Sequence, residues 1–276
     1  MLKTLAVVLL AFGCALSLSA QINGCANSTV VNNLGAAGPG NFTVFSMGGA
    51  GSLLNINLAT ITGSVGVANL GKIKESAPSS INGDIIVGSQ VDTSGVHGSY
   101  GSITVDDATV TQAFSDATNA AAYLSGLPST SGVQSQFPAN GQVIQNLTVT
   151  GTAGINVVNL PSFRLDNGAT LTLTGPAGTG FVINVWGSFN LHSGNIQVTD
   201  GVLPLDVVYN IATPNATVTT MVPTTAVGAL LAPYSNINSM DSTAFNGEVI
   251  GGFGKTITLM SGSAVTNPCN YSGPPQ

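Results

Sequence analysis

The sequence predicts an all-β protein, a right-handed β-helix or solenoid with one long α-helix packed along its side. Three observations carry this expectation. Short alternating apolar and polar runs occur throughout, at residues 42–45, 103–105, 147–149, 171–173, 181–183, 196–198, 207–209 and 257–259, each cut by Gly or Asn. A degenerate repeat is also present. Ile61, Gly63, Val65 and Val67 recur twenty positions later as Ile81, Gly83, Ile85 and Val87, and Phe245, Gly247 and Val249 have the same form. A spacing near twenty residues fits one solenoid rung, with glycine at a tight corner. Finally, Val110, Ala113, Phe114, Ala117, Ala121 and Leu124 recur at helical spacing.

In chain order, residues 1–20 read as a signal peptide. Lys3 supplies the positive start, residues 5–12 the apolar stretch, and Leu18, Ser19 and Ala20 the small-residue cleavage site. Residues 21–40, rich in Asn, Gly and Ala, form an irregular lead-in. The solenoid domain is expected over residues 41–268, with the helix at about 108–125 stopped by Gly126 and Pro128, and a Ser/Gly/Pro linker at about 128–140. Residues 269–276 are a short tail without an anchoring signal, so free secretion is expected over surface attachment.

Composition narrows the function classes. Charged residues make up 6% of the chain, against about 25% in ordinary soluble proteins. Mean hydropathy is +0.39, yet outside the N-terminus no apolar run approaches the roughly 18 residues of a membrane span. The net charge is −6, with five Lys and Arg in all, which argues against nucleic acid as a partner. Once the signal is removed, Cys25 and Cys269 remain, one near each end. In an oxidising compartment they are expected to pair, a bridge worth roughly 5 kcal/mol on the chain-entropy model.

No catalytic residue, metal site or cofactor is expected. The sequence has no nucleophile elbow, zinc-binding helix, phosphate loop or paired-cysteine motif. Its two histidines, His97 and His192, both sit at turns. Asp106 and Asp107 adjoin the helix start, where carboxylates satisfy open backbone N–H groups. The more informative residue is threonine. Thr148, Thr150 and Thr152 alternate with Leu147 and Val149, Thr170, Thr172 and Thr174 with Leu171 and Leu173, and Thr256 and Thr258 with Ile257 and Leu259. Period-2 geometry sends these hydroxyls to one side of each strand and the aliphatics to the other. Stacked rungs would turn them into a ligand-binding array; threonine that merely favours strands and faces water gives the same pattern.

Several stretches resemble the choice-of-anchor A family, an adhesive domain of extracellular proteins. They are residues 41–49, 61–69 and 206–211, and most strongly residues 228–237 with Ala232, Pro233 and Tyr234, followed by residues 245–251. The order of the stretches carries the resemblance, which spans about residues 41–260. It implies an extracellular, non-enzymatic β-helical domain that binds a polysaccharide, a matrix protein or a surface protein. The sequence is more distantly similar to secreted ice-binding β-solenoids, which also set a long helix beside a threonine-bearing β-helix, and this implies ice as the alternative partner.

Overall fold

The computed structural model describes residues 28, 30–221, 223–239 and 242–268. Apolar side chains at every second position along short strands point the same way, so a coil of such strands closes its apolar sides around one axis. The chain does this in three faces of parallel strands. Face I stacks Gln142–Val143, Phe163–Leu165, Phe189–His192, Thr217–Met221, Asn236–Ser239, Thr256–Leu259, Leu53–Asn57, Lys72–Ser76 and Asp92–Val96. Face II stacks Leu147–Thr150, Thr170–Gly175, Asn195–Asp200, the first halves of Thr224–Ala232 and Thr243–Gly251, then Ala264–Thr266, Thr60–Thr62 and Ser80–Asn82. Face III stacks Gly154–Leu160, Thr179–Val185, Val207–Ile211, the second halves of the two long strands, Val44–Ser46, Val65–Val67, Ile85–Val87 and Ile103–Val105.

The repeats read from the sequence stack on one another. Ile61 pairs with Ile81 and Val65 with Ile85, while Phe245 meets Ile61 through Val265. Their glycines line the corner between faces II and III. A Cβ on Gly247 would lie 1.7 Å from the Gly228 carbonyl oxygen, and one on Gly83 would lie 2.5 Å from that of Gly63. The corner folds only where successive rungs lack a side chain. Inside, Val149, Leu171, Ile196, Phe245 and Val265 fill the core, with Phe163 stacked on Phe189 and Tyr209 tilted against both, at centroid distances of 5.3–6.1 Å.

Rung order does not follow chain order. The first strands stack beyond the last, with Val44 on Val249, Leu54 on Ile257 and Ile61 on Val265. One rung is therefore completed by both parts of the chain. The chain must then return from Ile103–Val105 to the far end of the stack at Gln142–Val143. Eight inter-rung steps cover roughly 38 Å. Helix α1 (Asp107–Ser125) has 19 residues and covers about 28 Å of this.

Asp106 caps α1, accepting from the Thr109 amide at 3.0 Å and its hydroxyl at 2.7 Å, while Asp107 accepts from Asn69 and from the Ser89 amide. Val110, Ala113, Ala117, Ala120 and Leu124 are buried against face III, with Phe114 and Ala121 at the margin of the contact. Three alanines keep this side of the helix low, so its backbone comes close to the sheet. An asparagine ladder receives it. Asn184 donates to the Leu124 carbonyl at 2.8 Å and to Asn159, and Asn210 donates to the Ala121 carbonyl at 3.1 Å and to Asn184.

Residues 21–40 include a short 3-10 segment, Val31–Ala37, docked on α1, where the Ala36 amide donates to Asp116 at 2.8 Å. Residues 128–140 carry helix α2 (Ser131–Gln134), which closes one end of the solenoid. Val133 and Phe137 plug the core there. The side-chain amides of Gln134 and Gln136 bond both ways with the backbone of Asn159 and Thr150, replacing a further strand. Among the described residues no helix is long and apolar enough to cross a membrane. The signal peptide, Cys25, Cys269 and the tail lie outside the described residues.

Candidate functional site

Face II carries an extended uncharged surface, with Asp200 at one margin. Its outward positions form two long columns beside a short third one of Thr150, Thr174 and Thr199. One runs Thr148, Thr172, Gln197, Val227, Asn246, Thr266, Thr62 and Asn82, and the other Thr170, Asn195, Thr225, Ala244, Ala264, Thr60 and Ser80. No Asp, Glu, Lys, Arg or His occurs in either column. Rung-to-rung hydrogen bonds fix some of these groups. Gln197 donates to Thr172 Oγ1 at 3.0 Å, Thr225 donates to Asn195 at 2.7 Å, and the Thr170 amide donates to Asn146 at 2.9 Å. Thr174 donates to Asp200 at the corner. A side chain tied in this way has little rotamer freedom left to lose on binding.

The threonines singled out from the sequence divide between two faces. Thr148, Thr150, Thr170, Thr172 and Thr174 lie on face II, with Thr148 opposite Thr172 and Thr150 opposite Thr174. Thr152 lies past the strand end, where its amide donates to Asn156 at 3.0 Å. Thr256 and Thr258 lie on face I, Thr258 between Asn238 and Asn55. Face II also gathers Thr60, Thr62, Thr225 and Thr266, which sequence patterning did not single out. Their strands offer only one or two exposed positions each, too few for alternation to stand out.

Face I differs in charge. A central column of Asn190, Thr219, Asn238, Thr258 and Asn55 is flanked at its ends by Arg164, Lys72 and Lys74. Asp166 contacts Arg164 and lies 2.9 Å from His192 Nδ1. The His192 hydrogen bond, then the Asn167 amide and Arg164, bring its carboxyl down to about 2. The Lys72 ammonium, 2.8 Å away, and Ser94 hold Asp92 well below the usual range. Both carboxyls stay ionised, and the exposed Lys72–Asp92 pair is of small energetic weight. Among the described residues no group of three His, Cys, Asp or Glu could hold a metal ion.

Face II is not uniformly filled. A recess of about 310 Å³ opens where Ala244 and Ala264 replace longer side chains, walled by Gln197, Val227, Asn246 and Thr266. Chemically the face presents hydroxyls, carboxamides and methyl groups at rung spacing, about 4.8 Å. Such groups donate and accept hydrogen bonds and tolerate dehydration far better than ions.

A family model described as an ice-binding-like adhesive domain matches residues 16–258. Among curated proteins no significant relative was found. Several solved structures share the fold. An ice-binding protein from the Antarctic ascomycete Antarctomyces psychrotrophicus is 20% identical, with a TM-score of 0.57 over 84% of this chain and 96% of that one. An ice-binding protein domain from Shewanella frigidimarina is 18% identical, with a TM-score of 0.60 over 85% and 96%. One from an Antarctic Flavobacteriaceae bacterium is 22% identical, with a TM-score of 0.58 over 89% of this chain and 51% of that one. These likenesses establish a shared β-helix fold and bear out the adhesive and ice-binding resemblance read from the sequence.

Proposed function

The chain belongs to the ice-binding-like adhesive domain family, and from that premise we propose that it is an extracellular, non-enzymatic adhesive module acting through face II. Its ligand on this reading is an uncharged, hydroxyl-rich polymer surface, a polysaccharide. The observation that carries the reading is the charge-free double column from Thr148 to Asn82, tied in part by hydrogen bonds between rungs. A fixed array of hydroxyls and amides exchanges hydrogen bonds with water for hydrogen bonds with a sugar surface at little cost in order. Helix α1 occupies face III, and face I is bounded by ions, so face II is the extended surface left free.

Ice is the second reading. The in-register pairs Thr148–Thr172 and Thr150–Thr174 favour it, because β-branched side chains have few rotamers to lose against a rigid lattice. Against it, one column changes from Thr to Gln, Val and Asn within four rungs, and the recess over Ala244 and Ala264 interrupts the plane. A lattice match needs repetition; a flexible polymer does not.

Thr172→Tyr tests both readings. It places a ring in the first column while Leu171 and Leu173 stay in the core. Wild-type protein should bind insoluble polysaccharide saturably, and the variant about tenfold more weakly with unfolding unchanged. Thermal hysteresis of the wild type, lost in the variant, with no polysaccharide binding, would replace the adhesive reading by the ice reading. Binding confined to matrix or surface proteins would overturn the polysaccharide assignment.

A further inference from the structure

We propose that the edge between faces III and I carries a second site, at which a soluble neutral glycan stacks on Trp186, Tyr234 and Phe253. The site takes its ligand class from the polysaccharide reading above, but its location is independent of face II.

Among the described residues five aromatic side chains are more than a third exposed, and three of them stand on this edge: Trp186 at 48%, Tyr234 at 39% and Phe253 at 41%. Tyr100 and Tyr123 are exposed singly elsewhere, while Phe42, Phe163 and Tyr209 are fully buried. Each of the three follows a face III strand where the chain turns toward face I: Thr179–Val185, Thr224–Ala232 and Thr243–Gly251. Thr213 occupies the same corner on the rung between Trp186 and Tyr234, and its hydroxyl donates to the Trp186 carbonyl. The Phe253 amide donates to the Pro233 carbonyl at 2.7 Å, which keeps the last two rings in step.

The rings are held. Phe253 lies 5.3 Å from Phe114 of α1 and 6.2 Å from Tyr234. Beneath it is Gly49, where an added Cβ would come within 2.8 Å of the Phe253 ring. A groove of about 200 Å³ continues past Phe253 toward Leu70, which is 57% exposed. From Trp186 to Leu70 the edge crosses five rung steps, roughly 24 Å.

This geometry selects a glycan. A sugar ring has a C–H face that rests on the electron-rich face of an aromatic ring, and a hydroxyl rim that needs polar partners. Thr213 supplies a hydroxyl beside the first ring, and Asn69 and Thr111 line the groove beyond the last. A protein partner usually needs a patch of about 800 Å², whereas this is a single file of rings. The planes of Tyr234 and Phe253 are 82° apart, so they cannot form one flat platform. They suit a chain that turns between sugars, a soluble glucan rather than the flat face of crystalline cellulose.

The chain's single tryptophan makes the test direct. Laminarin oligosaccharides titrated into the full chain should shift Trp186 emission saturably. Tyr234→Ala and Phe253→Ala should each weaken the apparent affinity roughly fivefold, and Phe253→Tyr should retain it. Thr172→Tyr, which disrupts face II, should leave the fluorescence titration unchanged, so the two sites fail separately. The proposal is overturned by an unchanged emission spectrum across the titration, or by a shift that Tyr234→Ala and Phe253→Ala leave at wild-type affinity.

Discussion

Glu248 lies fully buried on face III, one rung from Ala229, and neither carboxyl oxygen has a hydrogen-bond partner. Burial pushes its carboxyl well above the ordinary value of 4.5. In the unfolded chain the group ionises near 4.5, while the folded protein retains the proton to higher pH. As pH rises, the unfolded state sheds its proton first and stability falls. The contribution is fully present below pH 4.5 and is lost at about 1.4 kcal/mol per pH unit until the folded-state value is reached. Each pH unit crossed on the way to that value lowers Tm by roughly 3–6 °C for a chain of this size. Glu248→Gln keeps the shape and removes the proton. Urea unfolding at pH 5, 6 and 7 should show stability falling steeply with pH in the wild type and less steeply in the variant. Glu75, also raised by burial, accounts for a residual slope of the same sign. Asp92, Asp106, Asp107 and Asp166 are all lowered, so what they contribute is lost only below about pH 4, outside this window. Equal slopes in the wild type and Glu248→Gln would refute the reasoning.

Two further outcomes follow from the fold, and a third is expected from the sequence alone. Gln136→Ala removes the side chain that closes the Thr150 edge; it should cost about 1–2 kcal/mol and speed hydrogen exchange at the Thr150 amide, read by mass spectrometry. Gly247→Ala would set a methyl group 1.7 Å from the Gly228 carbonyl and should cost more than about 3 kcal/mol in urea unfolding. Non-reduced peptide mapping of secreted protein should recover Cys25 linked to Cys269, and two free thiols would rule the bridge out.

Much of the fold was legible because local and long-range requirements coincide. Gly63 and Gly83 recur at twenty residues because each corner lies against the corner of the next rung, and the same contact brings Ile61 onto Ile81. The helix was legible because one side of it is apolar and Asp106 marks its start. Rung order was not legible. Parallel strands of similar composition pair equally well in many orders, and nothing local in Val44 or Val249 says that they are neighbours. The threonine array was half legible for a related reason. Period-2 alternation assigns a side chain to the outside of its own strand but not to one of three faces. Unequal rung lengths then carry Thr256 and Thr258 to face I while Thr148 and Thr172 meet on face II.

The permuted order also bears on which face stays free to bind. Because the first strands stack beyond the last, the chain has to travel back along the outside of the solenoid, and the covering element must lie on one face. Face III has the outward residues that need cover, among them Phe45, Val182, Val208, Leu231 and Ile250. At roughly 25 cal/mol per Å² of apolar surface, burying them offsets the cost of fixing the helix. Face II has nothing comparable to bury, since its columns are hydroxyls, amides, two alanines and one valine. The composition that leaves it unattractive to the chain's own helix therefore leaves it open to a ligand. An apolar change there, such as Thr62→Leu beside Thr266, should raise self-association at high concentration without altering the packing of α1. Sedimentation velocity reads the first effect and near-UV circular dichroism the second; a monomeric variant with a disturbed helix contact would mean that the faces are not independent.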